Sequence, residues 1–71
     1  MNQDFPLRGY LYDRDGLHRG GEWLEDEAAL RQFMVEAEAA MREGREVRVT
    51  DALDQLVFHA EHGRIAWPPP P

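Results

Sequence analysis

Two histidines and a glutamate lie within four consecutive residues near the end of the chain, in the segment His59-Ala60-Glu61-His62. Alternate side chains of an extended strand share one face, so His59 and Glu61 are predicted to point the same way, with His62 next in a turn. Imidazole and carboxylate groups are ligands of divalent metal ions. The spacing differs from the helical His-Glu-x-x-His pattern of zinc proteases. A small-ligand or metal-binding activity at His59, Glu61 and His62 is therefore one hypothesis, and an ordinary surface strand followed by a turn is the other.

The groups that perform covalent catalysis are scarce. The chain has no serine and no cysteine, and Thr50 is its only aliphatic hydroxyl, which argues against nucleophilic catalysis. Asp13, Asp15 and Gly16 resemble the start of a calcium loop, but the twelfth position holds Leu24 where such a loop needs glutamate. We therefore predict a turn at this point. The leading interpretation is a protein with no catalytic residue, no cofactor and no dedicated metal site.

The residues that could instead bind a partner occupy alternating positions of several predicted strands. If the strands bury their apolar side chains against a helix, the opposite sheet face carries arginine, tyrosine and histidine. The residues of this predicted interaction surface are Arg8, Tyr10, Tyr12, Arg48, Val57, His59 and Arg64, with Glu46, Thr50 and Glu61 beside them. Such a face could bind a protein, a second copy of the chain, or single-stranded nucleic acid stacked on the tyrosines. It could equally be an ordinary solvated surface.

One amphipathic helix is predicted from about residue 27 to 43. Asp26 is suited to cap its first turn, and Gly44 to end it in the left-handed conformation. Apolar side chains recur at spacings of three and four residues, which is the period of a helix with one buried face. This apolar stripe comprises Leu30, Phe33, Met34, Ala37 and Met41.

Alternating apolar positions predict five strands around this helix, at about 7–13, 17–23, 46–50, 55–61 and 64–67. The order β-β-α-β-β-β favours the α+β class, as two layers with one helix packed on one face of a mostly antiparallel sheet. His62-Gly63 is predicted to form a two-residue hairpin turn. The side chains expected to face the helix are those of Leu7, Leu11, Trp23, Leu24, Val47, Val49, Leu56, Phe58, Ala60, Ile65 and Trp67.

The length of 71 residues allows a single small domain, predicted at 1–67, followed by a disordered proline tail at 68–71. A formal net charge of −6 opposes binding to duplex nucleic acid, whose affinity depends on lysine and arginine. No apolar run is long enough to span a membrane, and the first residues do not resemble a secretion signal. Together with the missing cysteine, these features predict a cytoplasmic protein. The arginine-only basic residues favour a bacterial origin with a GC-rich genome.

No motif in the chain identifies a family, so function is predicted only as a class. The leading hypothesis is a small non-enzymatic interaction or regulatory module, self-associating as a homodimer through the open sheet face or binding an unknown protein. The alternatives are the metal or small-ligand site described above and acidic mimicry, in which the glutamate-rich helix occupies a nucleic-acid site on a partner protein.

Overall fold

The computed structural model describes residues 5–18 and 20–69. Its elements are β1 (Leu7–Leu11), β2 (Glu22–Leu24), α1 (Glu27–Arg42), β3 (Val47–Thr50), β4 (Leu56–Glu61) and β5 (Arg64–Trp67). The five strands form one antiparallel sheet in the order β2-β1-β3-β4-β5, with the helix packed on β1, β2 and β3. This confirms the predicted α+β class and element order. The predicted disorder of the proline tail concerns 68–71, of which 70 and 71 lie outside the described residues.

The helix begins and ends where its capping residues predict. The Asp26 side chain accepts a hydrogen bond of 2.9 Å from the Ala29 backbone N–H, which satisfies one of the free donors of the first turn. Gly44 has φ +75°, and its N–H donates to the carbonyl of Met41. Glu27 and Arg31 form an exposed ion pair one turn apart at 3.2 Å.

The core lies between the helix and the centre of the sheet. Phe33 and Ala37 of the predicted stripe are buried, while Leu30, Met34 and Met41 are half-buried at its margin. Ala40, which the predicted stripe omits, is fully buried. The strands contribute Leu7, Leu24, Val47, Val49 and Ala60 to the same cluster. The helix therefore covers the β2-β1-β3 part of the sheet and leaves the β5 edge more open.

Two turns are formed by the local chemistry of aspartate. The Asp13 carboxylate accepts hydrogen bonds from the N–H groups of Asp15 and Leu17, which confirms a turn at this position. Asp51 does the same before β4, with Leu53 and Gln55 as donors.

Three strand predictions need correction. The second strand spans only Glu22–Leu24 rather than 17–23, apart from an isolated bridge between Tyr12 and His18, because Gly20 has positive φ and cannot continue a regular strand. A register shift between Val49 and Thr50 leaves Leu56 opposite Thr50, so Leu56 does not face the helix as predicted.

Across the described residues, no helix is long and apolar enough to cross a membrane.

The third correction concerns the last strand. Ile65 and Trp67 are predicted to point inward together, yet each is about half exposed. A second register shift, between His59 and Ala60, places Ile65 opposite Ala60 but Trp67 opposite His59. Directly opposed residues of an antiparallel pair share a face, so Trp67 lies on the side of the sheet away from the helix.

Candidate interaction surface

The side of the sheet opposite the helix carries a dense set of aromatic and charged side chains. We call this side the outer face and define it by strand pairing, since opposed residues share a face. Its members are Arg8, Tyr10, Tyr12, Trp23, Glu46, Arg48, Thr50, Leu56, His59, Glu61, Arg64 and Trp67. None of the described elements packs over it.

One end of the outer face is built by β1 and β2. Arg8 and Trp23 are opposite each other, and the Arg8 guanidinium carbon lies 4.4 Å from the centroid of the Trp23 ring. This is a cation–π contact, in which the positive group lies over the electron-rich face of the indole. Arg8 also donates a hydrogen bond of 3.4 Å to the Tyr10 hydroxyl. Trp23 remains 56% exposed although it was predicted to anchor β2 in the core.

The middle row of the outer face crosses four strands. Tyr10, Arg48, His59 and Trp67 are successive cross-strand neighbours from β1 to β5. The row therefore has two ionisable groups, Arg48 and His59, in the middle and an aromatic ring at each end, at the strand spacing of about 4.8 Å. Of these two rings Trp67 is about half exposed, whereas Tyr10 is half-buried against His18 and Arg8.

Glu46 links two members of this row. Its Oε2 atom accepts hydrogen bonds of 2.8 Å from Arg48 Nε and from His59 Nε2. A carboxylate can only accept, so the Nε2 atom of His59 must carry the proton in this contact. Partial burial raises the pKa of Glu46, but the hydrogen bonds from His59 and Arg48 outweigh that effect and leave the pKa below its ordinary value.

Tyr12 lies next to this network at the end of β1. Its ring makes an edge contact with His18, at a centroid distance of 4.9 Å, and Tyr10 makes a similar contact with the same imidazole at 5.1 Å. Burial is the main cause that raises the pKa of Tyr12 above its usual value, opposed by the nearby Arg48 charge. Tyr12 is therefore a neutral phenol at physiological pH.

The structure places six of the seven predicted surface residues together on the outer face. The exception is Val57, which is half-buried and packs against the core. The register shift between Val49 and Thr50 makes Val57 the extra residue of a bulge, so the alternation that pointed it outward does not hold there. Val57 therefore does not lie with the other six residues on the outer face.

Two tryptophans that the sequence reasoning assigned to the core belong to the outer face instead. Leu24 is fully buried, and strand alternation from that position would have placed Trp23 outward. For Trp67 no such signal exists, because the bulge in β5 is not marked by glycine or proline.

The predicted metal triad is only partly assembled. Histidine 59 and Glu61 lie close together, but the third member of the cluster is Glu46 rather than His62. His62 is exposed in the hairpin turn, where its φ of +55° and that of Gly63, +76°, confirm the predicted two-residue turn. The turn carries His62 beyond the end of the strand, so it does not join the other two side chains.

A separate cleft opens on the helix side of the sheet. It has a volume of about 540 Å³ and is lined in part by Leu17, His18, Phe33, Glu36 and Arg45. Its lining shares only His18 with the surroundings of the outer face, so it gives no support to a site built on the predicted residues. Comparisons of the chain with protein-family models, with curated proteins and with solved structures find no match.

Proposed function

We propose that this protein is a small non-enzymatic interaction module that self-associates through its outer face. The observation that carries the proposal is the exposure of two tryptophans, Trp23 at 56% and Trp67 at 47%, on the sheet face opposite the helix. Tryptophan, tyrosine and arginine are the residues that most often dominate the energy of protein interfaces. All three types occur together here, on an open sheet face rather than in an enclosed cavity.

The distribution of charge favours a second copy as the occupant. The outer face holds three arginines, Arg8, Arg48 and Arg64, and two glutamates, Glu46 and Glu61, for a formal charge of +1. The whole chain carries −6, so all remaining residues together carry −7. Two copies therefore repel each other in most orientations, and pairing through the outer face keeps their acidic sides apart.

The area of the face sets the expected strength of the contact. Five strands spaced about 4.8 Å apart, with about five residues each at 3.3 Å, give a face of roughly 400 Å². Two such faces in contact bury about 800 Å² in total, and side chains that project from them add to this area. The total is close to the lower limit of about 1,000 Å² for specific interfaces. We therefore expect a weak dimer with a Kd of about 1–100 µM.

Other partners are less well supported by the same features. A net charge of −6 opposes duplex nucleic acid, whereas a single strand could stack on Tyr10 and the two tryptophans. Acidic mimicry by the helix side stays a prediction without a specific contact in its favour. The proposal keeps the bacterial origin predicted from the arginine-only basic residues and the cytoplasmic location, with which the lack of cysteine is consistent.

Sedimentation velocity over about 1–200 µM protein tests the proposal, since this range brackets the expected Kd. The wild-type chain should show a sedimentation coefficient that rises with concentration, and Trp23→Ser and Trp67→Ser should shift the rise to higher concentration. Val35→Ser and Leu53→Ser are matched controls, because these residues are 70% and 78% exposed but lie on the helix and in a turn. Both controls should associate like the wild type.

Two results would overturn self-association. One is a wild-type chain that stays monomeric throughout the range. The other is equal weakening by the tryptophan variants and the control variants, which would indicate nonspecific apolar contact. A monomer that binds a fluorescent single-stranded oligonucleotide, and loses this binding in Trp23→Ser, would assign the outer face to nucleic acid instead.

A further inference from the structure

Pairing between β3 and β4 brings three side chains of the outer face close together. His59 and Glu61 are two residues apart on β4 and share its outer side, and Glu46 immediately precedes β3 on the neighbouring strand. One candidate ligand atom from each of the three lies within 4.8 Å of the others. The cluster thus unites an imidazole with two carboxylates, rather than acidic groups alone.

The distances are close to those of a metal site. Zinc binds histidine nitrogen and carboxylate oxygen at about 2.0–2.2 Å, which in a tetrahedral arrangement separates neighbouring ligand atoms by about 3.3 Å. Glu46 Oε2 and His59 Nε2 are 2.8 Å apart, so an ion would need to widen this gap by only about 0.5 Å. Glu61 is exposed at the end of β4 and can turn its carboxylate toward the same point.

A metal ion can take the place of the proton that lies between His59 and Glu46. In the present contact the Nε2 proton of His59 points at Glu46. An ion between the two atoms would displace that proton, and a neutral imidazole would then carry its hydrogen on Nδ1. His59 and Glu46 are both largely sheltered, with side chains 15% and 23% exposed, so their positions are already restricted before an ion arrives.

We propose that Glu46, His59 and Glu61 form a binding site for one divalent transition-metal ion, with Zn²⁺ as the best match and water completing the coordination. The imidazole argues against Ca²⁺ and Mg²⁺, which bind oxygen ligands. Arg48 opposes the site, because its Nε atom lies 2.8 Å from the Glu46 oxygen that would bind the ion. The affinity should therefore be moderate, and removal of this positive charge should raise it.

Isothermal titration of the full chain with ZnCl₂, followed in parallel by NMR of the imidazole signals, tests the proposal. The wild type should bind one Zn²⁺, with the His59 signals moving first. His59→Gln and Glu61→Gln should each weaken binding about tenfold or more, since each removes one of three protein ligands. Arg48→Gln should strengthen it severalfold, which an ion bound elsewhere on the surface would not show.

His62→Asn is the matched control, because it removes the neighbouring histidine that lies outside the cluster. It should leave the affinity unchanged, and circular dichroism should show that every variant is folded. Absence of heat and unmoved His59 signals at about 1 mM Zn²⁺, a concentration that would reveal even weak binding, would overturn the proposal. Equal loss of binding in His62→Asn would overturn it as well.

The metal site and the self-association proposal can fail separately. The titration can be run on Trp23→Ser, which lies at the other end of the outer face and should keep its Zn²⁺ affinity. A chain that dimerises without binding zinc would refute only the metal site. A monomer that binds zinc would refute only the dimer.

Discussion

The close approach of Gly9 and Phe33 joins the sheet to the helix at the scale of single residues. A Cβ atom added at Gly9 would lie 2.5 Å from Cε1 and 2.6 Å from Cζ of the Phe33 ring. Phe33 is itself only 1% exposed, and it is the largest of the fully buried side chains. Glycine at the centre of β1 is therefore required because the aromatic ring lies directly on the backbone there.

We predict that Gly9→Ala destabilises the fold by about 1–3 kcal/mol, the usual cost of overpacking a core. Urea unfolding followed by circular dichroism would measure the change. The double variant Gly9→Ala/Phe33→Leu is the control, because the smaller side chain leaves room for the new methyl group. The losses of the two single variants should then not be additive, and simple additivity would contradict the proposed contact.

Glu46 gives the fold a predictable dependence on pH. Partial burial raises its pKa, but the hydrogen bonds from His59 and Arg48 lower it by more than burial raises it. The pKa of Glu46 is therefore below its ordinary value. A carboxyl group with a lowered pKa in the folded state stabilises that state above its unfolded pKa of about 4.3. This contribution is lost as the pH falls through the folded-state pKa.

The free energy of unfolding should therefore decline below about pH 5 more steeply in the wild type than in Glu46→Gln, which has no charge to lose. Urea titrations between about pH 3 and 7 would measure both slopes, since that window spans the carboxyl pKa values. Glu38→Gln, which removes an exposed glutamate of the helix, serves as the control. A Glu46→Gln variant with the wild-type slope would show that the network does not stabilise the folded state.

At the scale of elements, the β4–β5 hairpin depends on a turn with positive φ at both of its central residues, His62 and Gly63. We predict that Gly63→Val lowers stability by about 1–2 kcal/mol, because a β-branched residue is strained in the left-handed region. His62→Asn should keep or slightly raise the melting temperature, since Asn-Gly is the preferred pair for such turns. Thermal unfolding of both variants is the measurement, and a neutral Gly63→Val would refute the assigned turn geometry.

The elements themselves could be predicted where local chemistry defines them. The Asp26 cap, the glycine after the helix and the His62-Gly63 turn each act within a few residues, and all three are as expected. The direction of side chains within strands was less predictable. Register shifts near Thr50 and His59 change which residues oppose each other, and such bulges depend on pairing with a distant strand rather than on the local sequence.

The same limit explains why the candidate sites were only partly predicted. Glu46 approaches His59 from thirteen residues away, so their contact exists only once β3 and β4 are paired in register. His62 is close to His59 in sequence, yet the turn separates their side chains. Sequence proximity therefore pointed to His62, whereas strand pairing brings Glu46 to His59 and Glu61.

For the whole molecule, the separation of charge decides how two copies should respond to salt. The outer face has a formal charge of +1 in a chain of −6, so the repulsion between copies comes from residues outside the contact. At about 0.1 M salt the screening length is about 10 Å, which weakens this long-range repulsion while the apolar contact remains. Added salt should therefore strengthen self-association, whereas it would weaken binding to a nucleic acid.

The matched variants Arg64→Glu and Arg31→Glu separate the face from the rest of the molecule. Each changes the net charge from −6 to −8, but only Arg64 belongs to the outer face, and Arg31 lies on the helix. Arg64→Glu should weaken the dimer more at low salt, because its new carboxylate lies inside the contact beside Glu61. Sedimentation at about 20 and 300 mM NaCl, which lie below and above physiological ionic strength, would measure the difference. Equal effects of the two variants would mean that only total charge matters, and that the outer face is not where the copies meet.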